Sequence, residues 1–312
     1  MKRIIALILS LAMLFAFSAC GKEEAPTDDV TPTAEPAYTL QSGDDIHTIV
    51  LVSDTQRYDE KTFNELFGDI VADKDTYNIE YVAHTGDIIQ EGGDLDAKWQ
   101  VAKVAISKLD GVIPYGVLAG NHDQNVNSDA PFEAFSKYFG DETYEGCEYF
   151  AGSYADCQAH AQLVTIGSTD FVFVYLCSDP DVDCMKFAGD MFAKYSDRVG
   201  VLCTHKYLDE DLEISETGNL ISGIVKANEN VKLVLCGHES TAGYSELKLD
   251  DGRVVPQIIA DYQDSNNKGT VMYLQIDEKA GTLTGISYSP ITKSYDGYKD
   301  IDTDQFQIKL PW

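Results

Sequence analysis

The sequence predicts an α/β (α+β) fold in which two β-sheets pack together and are flanked by helices. Short apolar runs alternate with amphipathic segments over the first part of the chain, a pattern typical of strand–helix–strand units. Later segments follow a strand, turn, strand pattern, which predicts hairpins rather than one doubly wound sheet. The composition of the 312 residues, 44% apolar and 24% charged, is that of a globular protein with a sizeable core.

Five β-rich runs precede the hairpins, and each ends in Asp, Asn or His. They are HTIVLVSD (47–54), NIEYVAHTGD (78–87), VIPYGVLAGNHD (112–123), RVGVLCTH (198–205) and VKLVLCGH (231–238). Helices are predicted at 60–73, 94–110 and 215–228, and hairpins at 163–177, 246–260 and 269–290. Ligands in such folds gather at the carboxyl ends of strands. The polar residues that end the five runs are therefore predicted to share one site.

The N-terminal residues predict export. Lys2 and Arg3 precede an apolar run at 4–17, which is shorter than the roughly 20 residues that a membrane-spanning helix needs. Small residues before Cys20 resemble the lipobox of bacterial lipoproteins, in which the signal is cut before the Cys and its thiol is lipidated. We expect a signal peptide at 1–19 and a lipid on Cys20. Ordinary secretion, with Cys20 merely near the cut, is the alternative.

Three further segments complete the predicted organisation. Residues 20–45 are rich in Pro, Thr, Ala and acidic side chains, so they are predicted to form a solvated tether behind the lipidated Cys. The folded domain is predicted at 46–292, followed by a peripheral C-terminal tail at 293–312. The expected location is extracytoplasmic, with the chain anchored to the cell membrane by its lipid.

The charge of the chain restricts its partners. Twenty-three Lys and Arg stand against 52 Asp and Glu, a formal charge of −29, and removal of residues 1–19 takes two cations and no acid. A surface of this sign repels phosphate backbones. A nucleic-acid scaffold is therefore excluded, no protein partner is implied, and a small phosphorylated substrate is the expected partner.

Residues with metal-binding side chains end the five runs. They are Asp54, Asp87, Asn121, His205 and His238. Carboxylate oxygen, amide oxygen and imidazole nitrogen are ligands for Zn, Mn or Fe, and one carboxylate can bridge two ions. A single such residue at a strand end is weak evidence. Five in one predicted sheet edge indicate a metal centre.

The motifs SDTQ, HTGD, LAGNHD, CTH and LCGH occur in this order between residues 54 and 240. They resemble the calcineurin-like metallophosphoesterase superfamily, whose pattern is D-x-H, G-D, G-N-H-D/E, H and G-H-x-H. The D-x-Q opening and the later ADYQ at 260–263 resemble a branch of exported bacterial lipoproteins. The resemblance implies a four-layer architecture in which a two-sheet sandwich lies between helices.

The resemblance also implies roles for individual residues. Asp87 is expected to bridge two divalent metal ions (Mn, Fe or Zn), with Asn121, His205 and His238 completing one metal site and Asp54 belonging to the other. His122 is expected to protonate the leaving oxygen, and Asp123 to orient its ring.

Two residues depart from the family pattern. Gln56 stands where the family has the His of D-x-H, and Ser240 where it has the second His of G-H-x-H. The first metal site is therefore atypical, and its remaining oxygen ligands favour Mn or Mg. Gln56 and Ser240 themselves are candidate ligands or supporting residues, Ser240 by holding a water. Glu239, Asp261 and Gln263 are the other candidates to replace the missing imidazole.

The function implied is an extracytoplasmic metal-dependent phosphoesterase that hydrolyses a small phosphomonoester or phosphodiester with a metal-activated water. One alternative is a catalytically degenerate lipoprotein of the same fold that binds a ligand or envelope component without turnover. Another is a structural surface protein stabilised by one metal.

Other side chains near the motifs have simpler interpretations. Cys147 with Cys157 and Cys177 with Cys184 could close short disulfide loops, whereas Cys203 and Cys236 are predicted buried thiols. Packing is favoured for His84, and His47 and His160 are assigned no role. A core or surface position is favoured for Tyr207 and Tyr262, with the lining of a substrate cleft as the alternative.

Overall fold

The structure, a computed structural model, describes residues 36–91, 95–263, 269–295 and 304–312. Its strands are β1 (Ile46–Val52), β2 (Ile79–His84), β3 (Tyr115–Val117), β4 (Phe150–Tyr154), β5 (Ala159–Ile166), β6 (Thr169–Leu176), β7 (Val199–Lys206), β8 (Val231–Gly237), β9 (Ala242–Lys248), β10 (Val254–Ala260), β11 (Val271–Asp277), β12 (Thr282–Tyr288) and β13 (Phe306–Lys309). Its helices are α1 (Glu60–Asp73), α2 (Leu95–Ile106), α3 (Glu133–Phe139), α4 (Val182–Lys194) and α5 (Glu216–Ala227). The predicted signal peptide and Cys20 lie outside these ranges.

Two sheets form the centre of the fold. The first has the order β13-β12-β11-β1-β2-β3 and the second β4-β5-β6-β7-β8-β10-β9. Strands β1, β2 and β3 are parallel, as are β6, β7, β8 and β10. The carboxyl ends of the parallel strands therefore lie at one edge of each sheet, which is where the predicted ligands fall.

Alternating side chains on the strands build two apolar layers. Ile49 and Leu51 of β1 pack in a buried cluster with residues of the second sheet such as Phe173, so the sheets lie face to face. Val50 and Val52 point to the opposite side, into a cluster that contains Phe63 of α1. The predicted class, two packed sheets flanked by helices, is confirmed.

Polar caps set the starts of the helices. Asp59 accepts the Thr62 N–H at 2.8 Å at the start of α1, and Ser215 accepts the Gly218 N–H at 3.0 Å at the start of α5. Each cap satisfies an N–H that the helix leaves unpaired. The helices predicted at 60–73 and 215–228 correspond to α1 and α5, whereas α3, α4 and β4 were not predicted.

The ends of the described chain differ from the prediction. The predicted tail at 293–312 contains β13, which pairs antiparallel with β12 and buries Phe306, because the alternating FQIK sequence presents an apolar face to the sheet. In the predicted tether, the Tyr38 N–H donates to Gln305 Oε1 and the Gln41 N–H to Gln275 Oε1, both at 2.8 Å. The domain therefore uses residues on both sides of the predicted limits.

The described cysteines are free thiols. Neither plausible pair forms a disulfide, and Cys203 and Cys236 are fully buried, as expected. Burial raises the pKa of Cys203, and it raises that of Cys236 to about 12. A buried neutral thiol is not a nucleophile.

None of the helices in the described ranges is long and apolar enough to cross a membrane.

Candidate metal centre

The loops that follow the parallel strands bring the predicted ligands together. Asp54 follows β1 and Asp87 follows β2, while Asn121 lies in the loop after β3. In the second sheet, His205 is the penultimate residue of β7 and His238 directly follows β8. One ligand atom from each of Asp87, His205 and His238 lies within 4.8 Å of the other two. This group is able to hold a metal ion.

His205 lies at the middle of the group. Its Nε2 atom is 3.0 Å from Asn121 Oδ1, 3.2 Å from His238 Nδ1 and 3.3 Å from Asp87 Oδ1. Its Nδ1–H donates to the Thr85 carbonyl at 2.8 Å. A backbone acceptor on one ring nitrogen fixes the tautomer and directs the other nitrogen to the metal. The imidazole side of the centre therefore has the geometry of a preformed ligand set.

The backbone at the site is strained. Asp54, Asp87 and His238 have φ angles of 55°, 52° and 83°, in the left-handed region that non-glycine residues rarely adopt. Such conformations concentrate at functional sites because the surrounding structure must hold them. Gly120 is needed for a different reason, a close approach, since a Cβ on it would lie 2.1 Å from Asp87 Oδ1.

His84 links the loops that carry Asp54 and Asp87. Its Nδ1 accepts the Gly86 N–H at 3.2 Å, and its Nε2 is 3.0 Å from the Thr55 hydroxyl. Burial, reinforced by His205, lowers the pKa of His84 to about 3, so the ring is neutral. The packing role predicted for His84 is accompanied by these two hydrogen bonds, which position the ligand loops.

The other side of the centre contains oxygen atoms. Asp54 is fully buried, and its Oδ2 accepts the His238 N–H at 3.0 Å and the Ser53 hydroxyl. Gln56 donates from Nε2 to Asp87 Oδ2 at 3.3 Å and to Gln263 Oε1 at 3.0 Å. Asp54 Oδ1 and Gln56 Oε1 are buried and accept no hydrogen bond from the described residues. Such oxygen atoms are costly to bury, and a divalent cation satisfies them.

The charges at the site also favour cations. Burial and then the charge of Asp261 raise the pKa of Asp54. Burial acts to raise the pKa of Asp87, but His205 and the His122 N–H lower it. Burial likewise acts against the charged form of His205, but Asp87 and Asp54 raise its pKa to about 10. A proton on His205 therefore balances the carboxylates in the metal-free protein and competes with a metal ion.

The structure corrects the role predicted for Asp123. Its carboxylate is buried and accepts the backbone N–H groups of Gly120, Ile88 and Ile89 at 2.8 to 3.0 Å. It thus holds the loops of Asp87 and Asn121 together instead of orienting the His122 ring. Adjacent residues direct their side chains to different sides of the loop, which separates Asp123 from the ring.

Glu91 contacts His122 instead. A Glu91 carboxylate oxygen binds His122 Nδ1, while His122 Nε2 lies 3.8 Å from Asp87 Oδ2. The His122 side chain is 30% exposed, so it lies at the mouth of the site. Sequence analysis missed Glu91, although an acidic residue four positions after Asp87 in the same loop was an available signal.

The remaining candidates have less direct positions. Glu239 Oε1 is 3.6 Å from His238 Nε2, its side chain is 34% exposed, and Ser240 is half-buried in the same segment before β9. Tyr207 and Tyr262 are buried in the two apolar clusters. These tyrosines therefore occupy the core, as favoured, and the alternative of a cleft lining is wrong.

Comparison with known sequences identifies the pattern independently. The family model described as calcineurin-like phosphoesterase matches residues 47–241. The uncharacterized protein YvnB of Bacillus subtilis (strain 168) is 35% identical over 286 residues, which cover 85% of this chain and 22% of that protein. The chain therefore spans about a fifth of the length of this relative.

Solved structures share the fold at low identity. A dimetal phosphatase from Danio rerio has a TM-score of 0.57 and 10% identity, over 84% of this chain and 98% of the other. Purple acid phosphatase PPD1 from yellow lupin has a TM-score of 0.58 and 11% identity, over 88% of this chain and 55% of the other. GAP50, the anchor in the inner membrane complex of Plasmodium, has a TM-score of 0.52 and 10% identity, over 85% of this chain and 88% of the other. At these identities the likeness is one of fold.

Proposed function

Since the chain belongs to the calcineurin-like phosphoesterase family, whose members use divalent metal ions, typically two, we propose that it hydrolyses a small phosphomonoester or phosphodiester outside the cytoplasm. The observation that carries the proposal is the convergence of Asp87, Asn121, His205 and His238. Gln56 contacts Asp87, and Asp54 accepts the His238 N–H, so further oxygen ligands lie next to this group.

The residues of the chain divide the catalytic work. Asp87, Asn121, His205 and His238 would hold one cation, and Asp54 and Gln56 would contribute to a second together with Asp87. Bound divalent cations supply Lewis-acid polarisation of the phosphoryl group and acidify a water molecule. The ligand loops are held rigid by His84 and Asp123, so the donors are already oriented before substrate arrives.

His122 has the position of a general acid. Its partly exposed ring lies beside Asp87, and Glu91 binds Nδ1, so the proton on Nε2 is directed toward the site. Protonation of a leaving oxygen by a positioned imidazole is a common source of rate enhancement. Glu91 keeps the ring in place.

A cavity beside the metal centre has room for a leaving group. It has a volume of about 250 Å³, and its walls include Gln56, Tyr58, Phe63, Ile88, Ile89 and Lys98. Gln56 also contacts Asp87, so the cavity and the centre are neighbours. Its mixture of apolar and polar walls supports a small organic leaving group rather than a polymer.

The test is hydrolysis by the full chain, purified in detergent, stripped with EDTA and reloaded with Mn²⁺. The substrates are p-nitrophenyl phosphate, its bis ester, nucleotides and glycerophosphodiesters. We expect activity that Asn121→Ala and His122→Ala each reduce by roughly 100-fold or more, while Asp110→Asn, a change at the distant Tyr115 hydroxyl, leaves it unchanged. A folded, metal-loaded chain with no activity on the panel contradicts the proposal.

We also propose that a lipid on Cys20 anchors the enzyme to the outer face of the cell membrane. The support is the sequence of residues 1–20, with its basic pair, apolar run and small residues before the Cys. Cys20→Ala should move the chain from the membrane fraction to the soluble exported fraction. Continued membrane association of that variant would exclude the lipid as the anchor.

Binding without turnover is the second candidate, and the loss of imidazoles at Gln56 and Ser240 favours it. The double change Gln56→His with Ser240→His restores the family residues. Activity that arises from an inactive parent identifies the natural protein as a binder. An active parent excludes this alternative.

A further inference from the structure

The cavity beside the metal centre contacts both Asp87 and the proposed general acid through its walls. Gln56 forms part of one wall, and its Nε2 donates to Asp87 Oδ2 at 3.3 Å. Gln90 forms part of another, and its Nε2 lies 3.0 Å from His122 Nδ1. In phosphoester hydrolysis water adds to phosphorus, the bond from phosphorus to the leaving oxygen breaks, and the general acid protonates that oxygen. A cavity beside the general acid therefore lies where the leaving group departs.

The inner walls of this cavity are apolar. Ile88 and Ile89 come from the loop after β2, Phe63 from α1 and Val101 from α2. Tyr58 completes these walls, and its ring meets the Phe63 ring edge to face, with centroids 5.8 Å apart. Walls of this kind favour an apolar occupant, because both surfaces lose contact with water when they meet.

Tyr58 and Val101 present the apolar surface that an occupant can reach. Both are half-buried, whereas Phe63, Ile88 and Ile89 are at most 4% exposed. An aromatic occupant would extend the existing pair of rings, and a contact between rings stabilises by more than the burial of its area alone. The reachable walls therefore suit a ring better than an open chain.

Size and charge restrict the occupant further. The volume of about 250 Å³ is below the roughly 300 to 1,000 Å³ of sites for drug-sized ligands, so the cavity suits a single ring. Its described polar walls include the exposed acids Asp59 and Glu60, against the Lys98 ammonium, which donates to the Gln90 carbonyl at 2.8 Å. This sign disfavours an anionic group. The apolar inner walls also disfavour a cation, which would lose its hydration there.

We propose that this cavity is the leaving-group subsite and that it selects phosphoesters of uncharged alcohols that carry one ring. The inference deepens the proposed function, on which it rests. Tyr58 and Val101 are the specificity-determining residues, because they supply the apolar surface that the ring contacts.

The test compares benzyl phosphate with ethyl phosphate on the full chain in detergent, stripped with EDTA and reloaded with Mn²⁺. Benzyl alcohol and ethanol have similar acidity, so a difference in kcat/KM reports contact with the ring. Benzyl phosphate should be favoured by roughly tenfold or more. The anionic 4-carboxybenzyl phosphate should be hydrolysed about two to five times more slowly than benzyl phosphate. Faster hydrolysis of phosphocholine or of 4-carboxybenzyl phosphate than of benzyl phosphate overturns the choice of an uncharged ring.

A bulky side chain in the cavity should remove the preference. Val101→Trp should bring the ratio of kcat/KM for benzyl over ethyl phosphate close to one, mainly by slowing benzyl phosphate. The matched control is Val112→Trp, because Val112 is 42% exposed and precedes β3 at its amino end, away from the metal edge. This control should keep the ratio of the wild type.

A second variant covers the case in which Val101→Trp does not fold, as judged by its melting in EDTA. Ala97 is exposed and lines the same cavity, so Ala97→Trp places a ring there without entering the core. Equal kcat/KM for the two esters in wild type, or a wild-type ratio in whichever of these variants folds, overturns the proposal.

Tyr58→Leu tests the aromatic wall separately. It keeps an apolar side chain and removes the ring, so the ratio should fall by roughly threefold or more. An unchanged ratio in this variant overturns the ring contact on which the proposal depends.

Binding of phosphonates separates the subsite from the activity, because their carbon–phosphorus bond is not hydrolysed. Calorimetry compares benzylphosphonate with ethylphosphonate on the Mn²⁺-loaded chain. A chain that hydrolyses no phosphoester but binds benzylphosphonate roughly tenfold more tightly, and loses this difference in Val101→Trp, retains the subsite and loses the proposed function. An active chain with no preference in either assay retains the function and loses the subsite.

Discussion

The two halves of the metal centre are chemically different although the same strand edges build them. The imidazole half, Asn121, His205 and His238, contains two ring nitrogens within 3.2 Å of each other and one amide oxygen. The oxygen half, Asp54 and Gln56, contains a carboxylate and an amide group. Asp87 lies between them. The fold therefore fixes where ligands lie, while the residue types at those places set the metal that each half prefers.

The strongest test of this division is to remove the residue that the halves share. Asp87→Asn keeps the size of the side chain but removes the bridging charge, so both cations should bind weakly. We expect hydrolysis to fall by roughly 1,000-fold or more and metal analysis to give less than one equivalent. Retention of one tight equivalent in this variant would show that the two halves are independent.

Changes within each half should separate metal selectivity from activity. His238→Ala removes a nitrogen ligand and should weaken Zn²⁺ more than Mn²⁺, whereas Asp54→Ala should weaken Mn²⁺ more than Zn²⁺. We expect losses of about 100-fold in the affinity of the affected ion, measured by competition with a chelating dye. Equal losses of affinity for both metals in both variants would show that the two halves do not differ in metal preference.

Metal removal should lower the stability of the fold at this edge. A cation that binds the native state but not the unfolded chain stabilises the native state by about 2.7 kcal/mol when its free concentration is 100 times the dissociation constant. In a chain of this size, that raises the melting temperature by roughly 5 °C. Differential scanning fluorimetry with and without Mn²⁺ measures the shift. Asp87→Asn should show none, and a shift of wild-type size in that variant contradicts a shared site.

The fold was largely predictable where the signals are local. The helix at Glu60–Asp73 has its Asp59 cap and its apolar stripe in the sequence, and its limits were predicted as observed. Strand β13 was missed because its place depends on pairing with β12, which lies 18 or more residues earlier in the chain. Edge strands with few apolar residues are recognised by their partners and not by their own pattern.

The site was predictable in the same way. Its strand-end residues were identified because each follows an apolar run, and GNHD is specific. Asp261 remained one of several candidates because the segment 246–260 was correctly assigned to a hairpin, while the second neighbour of β10, the parallel strand β8, is a tertiary pairing. That pairing makes Asp261 a strand-end residue of the metal edge.

The imidazole half should make the stability of the metal-free chain depend on pH. In the metal-free chain, His205 has a pKa raised from 6.5 to about 10, against the effect of burial, by Asp87 and Asp54. The native state then holds a proton that the unfolded chain has released, so stability falls as pH rises above about 6.5. Asp123, with a pKa raised by burial to about 7, adds to this fall only up to about pH 7.

The difference between wild type and His205→Gln in urea unfolding in EDTA, between about pH 7 and pH 8.5, measures the His205 contribution. Wild type should lose stability across this interval, and His205→Gln should lose less. With Mn²⁺ present the stabilisation by the metal should instead increase with pH, because the imidazole must lose its proton to bind. Parallel pH profiles for wild type and His205→Gln in EDTA would remove His205 as the proton-binding group.

The smallest expected effect concerns Glu91, which belongs to neither half. Partial burial acts to raise the pKa of Glu91, but the hydrogen bond with His122 lowers it. Glu91 is therefore a carboxylate beside the His122 ring. Glu91→Gln keeps a hydrogen-bond acceptor and removes the negative charge beside His122 Nδ1. We expect a fall of roughly tenfold in kcat with little change in KM. The metal content should be unchanged, because Glu91 is not one of the metal ligands.

The leaving group makes this prediction specific. A p-nitrophenolate departs without a proton, whereas an alkoxide needs one, so Glu91→Gln should slow alkyl phosphate hydrolysis more than p-nitrophenyl phosphate hydrolysis. The exposed Glu145 provides the matched control, since Glu145→Gln removes one acidic charge elsewhere and should affect neither substrate. Equal slowing of both substrates by Glu91→Gln would mean that Glu91 shapes the site without assisting proton transfer, and His122 would then lose its assignment as the general acid while the two metal-binding halves kept theirs.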